Sequence, residues 1–120
     1  MIQASNKILV PIDFSEQSLI ALEQSYNLAR EYHAEITLLN VIEEGGMLAK
    51  FFSNQQHDDL KKKVQDQLDA LAVDVEKKSG VKVNVIIAKG STYDKIAEVA
   101  DMINATLIGM GTNGDQGLKK

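Results

Sequence analysis

The sequence predicts an α/β domain: an open parallel sheet with helices on both faces. Three observations predict it. Short apolar runs alternate with longer stretches of helical periodicity, in the order β-α-β-(loop)-α-β-α-β. The first run, Lys7-Ile8-Leu9-Val10-Pro11-Ile12, shows no polar alternation, as expected of a strand covered on both faces. The chain has 120 residues, 44% hydrophobic and 25% charged, which is enough for one domain; nothing in it reads as a linker or low-complexity segment.

The elements follow in order. Pro11 cannot donate to a central ladder, so it marks the end of the first strand. Asp13-Phe14-Ser15 is then a tight loop. Ser15 is a good N-cap, with Glu16 in the first turn of a helix that runs to about Tyr32. Leu19, Leu22, Tyr26 and Ala29 form its apolar stripe. Glu35–Ile42 is the second strand, followed by a loop with Gly45-Gly46. Met47–Asn54 reads as a flap or a helical turn. From about His57 to Ser79 a helix places Leu60, Val64, Leu68, Leu71 and Val75 on one face, and Gly80 ends it. Val81, Val83, Val85 and Ile87 then alternate with Lys82, Asn84 and Ile86, as in a strand near the sheet edge. Ser91, with Asp94 in capping-box position, opens a helix whose inward residues are Ile96, Val99, Ala100 and Ile103. The last strand is about Thr106–Met110. The helix ends His33-Ala34 and Asn104-Ala105 echo one another and predict similar helix-to-strand turns.

The totals exclude several classes. A net charge of −4 argues against non-specific nucleic-acid binding. With no cysteine there is no disulfide scaffold or thiolate metal site. No apolar run approaches a membrane span, and the N-terminus lacks a signal-peptide pattern. The expected setting is the cytoplasm.

In an open parallel sheet, ligands bind beyond the carboxyl ends of the strands, where the strand order reverses. With order 3-2-1-4, the crevice lies between the ends of strands one and four. The Pro11–Ser15 loop and the glycine-rich Gly111–Gly117 stretch are then expected to converge there. Gly109-Met110-Gly111-Thr112-Asn113-Gly114 matches G-x-G-x-x-G, but it follows the last strand, not the first of a βαβ unit, so it is not read as a dinucleotide fingerprint. Its glycines serve either close packing or phosphate approach. Asp13 either stabilises a helix N-terminus or accepts hydrogen bonds from a nucleoside. A carboxylate repels a triphosphate, so it should face the nucleoside end or reach phosphate through Mg²⁺.

The remaining candidates have simpler roles. His33 and His57 sit at helix ends, Lys61-Lys62-Lys63 is a solvated face, and Ser15, Ser91 and Thr92 are explained by capping. A receiver domain would need an aspartate after strand three, where Ala88-Lys89-Gly90 stands. Nucleotide-adenylylating folds would need a histidine after strand one, and residues 11–15 contain none. Nothing supplies an activated nucleophile or general base, so no enzyme activity is expected.

Lys7–Ser15 (KILVPIDFS), Ala34–Val41 (AEITLLNV), the helix opened by Gly90, and Ala105–Gly114 (ATLIGMGTNG) together resemble the universal stress protein A family. The resemblance spans nearly the whole chain. It implies an adenine-nucleotide α-hydrolase-like fold, residues 1–120 as one such domain, dimerisation, and in many members ATP binding with Mg²⁺. It implies Pro11, Ile12, Asp13 and Val41 around the adenosine, Val41 acting through its backbone. Met110, Gly111 and Gly114 would line the phosphate side.

The family's further phosphate-binding Gly-Ser/Thr pair and its fifth strand would fall beyond Lys120, so the C-terminal part of the domain is expected to be missing. Each lost bond to phosphate is about 1.5–3 kcal/mol. Losing two or three would take a micromolar binder to millimolar or weaker. The expected function is an adenine-nucleotide-responsive stress regulator, impaired in ATP binding as this chain. Its mechanism would be a population shift in which nucleotide orders the Gly111–Gly117 and Met47–Asn54 stretches. The alternative is a protein-interaction or dimerisation domain with no nucleotide role.

Overall fold

The computed structural model describes residues 6–43 and 54–110, without the side chains of 54–58. The Gly45-Gly46 loop, the 47–53 part of the expected flap, and everything from Gly111 onward, Gly114 included, lie outside the described residues.

The elements are β1 (Asn6–Pro11), α1 (Glu16–Tyr32), β2 (Ala34–Ile42), α2 (Asn54–Ser79), β3 (Val83–Lys89), α3 (Thr92–Ile103) and β4 (Leu107–Ile108). All strand pairs are parallel, and the order is β3-β2-β1-β4, as expected from the sequence. Strand β1 is central, which explains its unbroken apolar run: Ile8, Leu9, Val10 and Ile12 are all buried. Because side chains alternate, the two faces sort by parity. Ile8, Val10, Ile12, Ile36 and Leu38 pack under α1 and α2, against Leu22, Ala29, Leu68, Ala72 and Val75. Leu9 and Leu39 lie on the other face, under Ile96 and Val99 of α3.

The helix ends follow local chemistry. The Ser15 hydroxyl accepts from the Ser18 N–H at 3.1 Å and starts α1. His33 (φ 56°) and Asn104 (φ 57°) end α1 and α3 in the left-handed conformation, so the two X-Ala turns are the same device. Gly80 (φ 73°) plays that part after α2, its N–H reaching the Glu76 carbonyl at 2.8 Å.

Several expectations are corrected. Leu19 is exposed, and the inward side of α1 is Ser18, Ala21, Leu22, Ser25 and Ala29. The small Ser25 lies close against Gly109 at the exit of β4. Helix α2 begins at Asn54, not near His57, and its Leu60 is exposed. Strand β3 starts at Val83, two residues late. Ser91 makes no side-chain cap bond, so the capping box with Asp94 does not form. Instead the Thr92 hydroxyl donates to the Glu43 carboxylate, tying the start of α3 to the end of β2. Strand β4 has two residues rather than five, although the Thr106 and Gly109 N–H groups extend its pairing to the Lys7 and Leu9 carbonyls at 2.7 and 2.9 Å.

Candidate functional site

A cleft of about 180 Å³ opens at the carboxyl ends of the strands. Its floor and walls are Pro11, Ile12 and Asp13 after β1, Leu39, Asn40 and Val41 of β2, Ser18 of α1, Thr92, Tyr93 and Ile96 of α3, and Met110 after β4. Every described residue of the sequence-derived set, Pro11, Ile12, Asp13, Val41 and Met110, therefore lines one cavity. Gly111 and Gly114 lie outside the described residues. The cleft is smaller than the ~300–1,000 Å³ of an ordinary small-molecule site.

The cleft exists because the β1 ladders stop. Odd residues of β1 turn their peptide groups toward β4: the Thr106 and Gly109 N–H groups reach Lys7 and Leu9. The next odd residue is Pro11, which has no N–H, so β1 has no further donor for β4. On the other side, the Ile12 N–H still bonds the Leu39 carbonyl at 2.7 Å, and pairing with β2 goes no further. Beyond that rung the Val41 N–H and C=O, which face the β1 side, have no backbone partner among the described residues.

Asp13 sits at the mouth. Its Oδ1 accepts from the Ser15 N–H at 2.9 Å, forming a turn that leads into α1. Bonding from the Ser15 side chain, then from its backbone, holds the Asp13 carboxyl below the usual carboxylate range, against a smaller opposing effect of burial. The residue is exposed and ionised at neutral pH. Phe14, between them, has φ 65°, a left-handed conformation that costs a bulky residue about 1 kcal/mol or more. Its side chain packs on the α1/α2 core, which holds the turn in place.

Gly109 answers one question left open by the sequence. Its φ is not left-handed, and a Cβ placed on it would overlap Ser25 Oγ of α1. This glycine serves close packing at the exit of β4.

The sequence did not single out Asn40 or Tyr93, and it read Ile96 only as an inward helix residue and Thr92 only as a cap. Asn40 Nδ2 donates to the Ile12 carbonyl at 2.8 Å. Tyr93 is 74% exposed at the cleft rim. Strand register is the signal that could have found Asn40, since it stands opposite Ile12. Among the described residues, no three His, Cys, Asp or Glu side chains are grouped to hold a metal ion.

Residues 5–120 match the model of the universal stress protein family. Among curated proteins, universal stress protein MJ0531 of Methanocaldococcus jannaschii is 32% identical over 117 residues, covering 95% of this chain and 68% of that protein. Among solved structures, the universal stress protein UspA from Lactobacillus plantarum superposes with a TM-score of 0.76 at 22% identity, over 95% of this chain and 84% of that one. A universal stress protein solved in complex with cAMP matches with a TM-score of 0.58 at 20% identity, over 88% of this chain and 71% of that one. With the 3-2-1-4 parallel sheet and the match over residues 5–120, the chain belongs to the universal stress protein family.

Proposed function

We propose that this stress-response module binds the nucleoside end of an adenine nucleotide in the β1/β2/α3 cleft and responds to it without turning it over. One observation carries the reading. The Asp13 carboxylate and the Val41 peptide edge, which has no backbone partner among the described residues, line one cleft where the strand order reverses. Asp13 accepts hydrogen bonds from the ribose hydroxyls. The Val41 N–H and C=O offer a donor and an acceptor side by side to the edge of the base. Pro11, Ile12 and Ile96 supply apolar walls, and Met110 leads toward the phosphate side, where Gly111 and Gly114 follow in sequence.

The residues fit Mg²⁺ only in its substrate-borne form. Among the described residues one ionised carboxylate, Asp13, lines the cleft, which suits an ion carried mainly by phosphates and not an all-protein cage. A universal stress protein has been solved with cAMP, which supports an adenine-nucleotide ligand for the fold. The reading places the chain in the cytoplasm; among the described residues no helix is long and apolar enough to cross a membrane.

The test is a thermal-shift series with adenosine, AMP, ADP, ATP and cAMP, with and without Mg²⁺. At a hundredfold excess over Kd, a ligand of the native state adds about 2.7 kcal/mol. For a chain of this length that raises Tm by about 10 °C. No rise with any of the five at 10 mM overturns the reading.

A second reading is favoured by the edge of the sheet. Leu107 and Ile108 of β4 are exposed, and the outer edge of β4 is unpaired among the described residues. Such an edge pairs readily with another strand. Here the chain is a homodimerisation or protein-interaction domain with no nucleotide role. Sedimentation showing a dimer, combined with a flat ligand series, favours it.

A further inference from the structure

The Asn40 side chain occupies a position that regular pairing would give to a neighbour's peptide group. In β2 the even residues turn their peptide groups to β3: the Ile36 N–H bonds the Lys82 carbonyl at 2.9 Å, and the Ile42 carbonyl accepts from the Gly90 N–H at 3.0 Å. The odd residues turn to β1, as the Ile12 N–H to Leu39 carbonyl bond shows. Ile12 thus stands opposite Asn40. In a parallel ladder the residue that donates to position 39 accepts from position 41. The Ile12 carbonyl should accept from the Val41 N–H. It accepts instead from Asn40 Nδ2, at 2.8 Å.

We propose that Asn40 is a positioning residue. By taking the Ile12 carbonyl, its amide ends the β1–β2 ladder one rung early and keeps the Val41 N–H and C=O open to a ligand. The chemistry it serves is a planar group with an acceptor beside a donor, such as the amino edge of a purine. The ligand half of this inference rests on the nucleotide reading; the ladder half does not. A bond that only satisfied a stranded carbonyl would leave the same distance but no effect on Val41. The two roles therefore differ in what happens to a residue Asn40 does not itself bond.

The experiment uses the full chain, amide hydrogen exchange resolved by NMR, and adenosine as the probe. Asn40→Leu keeps nearly the same shape and removes the donor. The Ile12 carbonyl is then free, the Val41 N–H closes on it, and its exchange slows by about tenfold or more, the value of one buried backbone bond. Adenosine affinity falls by about tenfold. Asn40→Gln, which retains the amide, restores fast Val41 exchange and most of the affinity. In the unsubstituted chain the Asn40 side-chain amide protons are protected while the Val41 N–H exchanges freely until adenosine is added. This arm holds even if the leucine variant fails to fold.

Unchanged Val41 exchange in Asn40→Leu, or unprotected Asn40 amide protons in the parent, overturns the inference and leaves the nucleotide reading standing. No adenosine binding by the parent chain at 10 mM removes the ligand half of the inference, and a flat series with all five ligands removes the nucleotide reading as well. Slowed Val41 exchange in the leucine variant still supports the ladder half in that case.

Discussion

Gly109→Ala puts a methyl group where α1 already sits. The added Cβ overlaps Ser25 Oγ, and Ser25 Cβ lies 3.4 Å away, so only the hydroxyl is in the way. Ser25 is buried and β4 is tied to β1 through the Gly109 N–H, so neither partner yields freely. Overpacking of this kind costs about 1–3 kcal/mol. Against it, alanine restricts the unfolded chain and returns about 0.4–1 kcal/mol, since the φ of Gly109 is one alanine can adopt. The net is a loss of about 1–2 kcal/mol. With an unfolding entropy near 2.1 cal/mol/K per residue, the Tm of this chain falls by about 4–8 °C. Met110 follows directly and lines the cleft, so adenosine affinity should fall as well. The decisive assay is a double-mutant cycle by thermal or urea unfolding. Ser25→Ala removes the overlapping atom and should recover most of the loss, giving a coupling of about 1–2 kcal/mol. Strict additivity of the two changes would refute the close-packing account of Gly109.

Three further outcomes follow. Asp13→Asn keeps an oxygen for the Ser15 N–H but loses the charge, so Tm should fall only slightly, by the stabilisation the ionised form gains from Ser15, while adenosine affinity drops about tenfold or more, read by calorimetry. Because Ser15 lowers the pKa of Asp13, the stability this carboxylate contributes is present above its ordinary value of 3.8 and is lost only as pH falls through the lowered folded value. Adenosine affinity of the parent chain should therefore be flat from pH 8 to pH 5, and a decline in that window would contradict it. His33→Gly relieves a left-handed conformation at an exposed helix end and should raise Tm by about 2–4 °C, the equivalent of about 0.5–1 kcal/mol; a fall would show that the histidine side chain holds the turn.

The parts of the fold written locally were legible. An apolar run without alternation gave β1 its central place, Ser15 gave the start of α1, and the paired His33-Ala34 and Asn104-Ala105 endings gave matching turns. What escaped depends on neighbours distant in the chain. Leu19 and Ser18 are adjacent, and which one faces inward is set by the packing of α1 on the rest of the chain; near Gly109 the close approach suits the small Ser25. The Ser91 cap failed for a similar reason: the hydroxyl that is used belongs to Thr92, and its partner Glu43 is 49 residues away. Of the site, Pro11, Ile12, Asp13, Val41 and Met110 were named from sequence and share one cleft, while Asn40 required the register of two strands.

The cleft owes its character to where hydrogen bonding ends more than to any cluster of reactive side chains. On the β4 side, Pro11 lacks the donor that would continue the ladder; on the β2 side, Asn40 fills the acceptor that would continue it. Two unrelated residue types thus halt the sheet at the same level, and the Val41 peptide edge, without a backbone partner among the described residues, lines the same cleft as Asp13. A buried backbone group without a partner is costly, so a fold keeps such an edge only where water or a ligand can reach it. The opening beside Asp13 provides that access. Backbone edges recognise the hydrogen-bonding pattern of a ligand without depending on the side chain that carries them. Substitution at Val41 itself is therefore a weaker probe of this cleft than substitution at the two residues that stop the ladders.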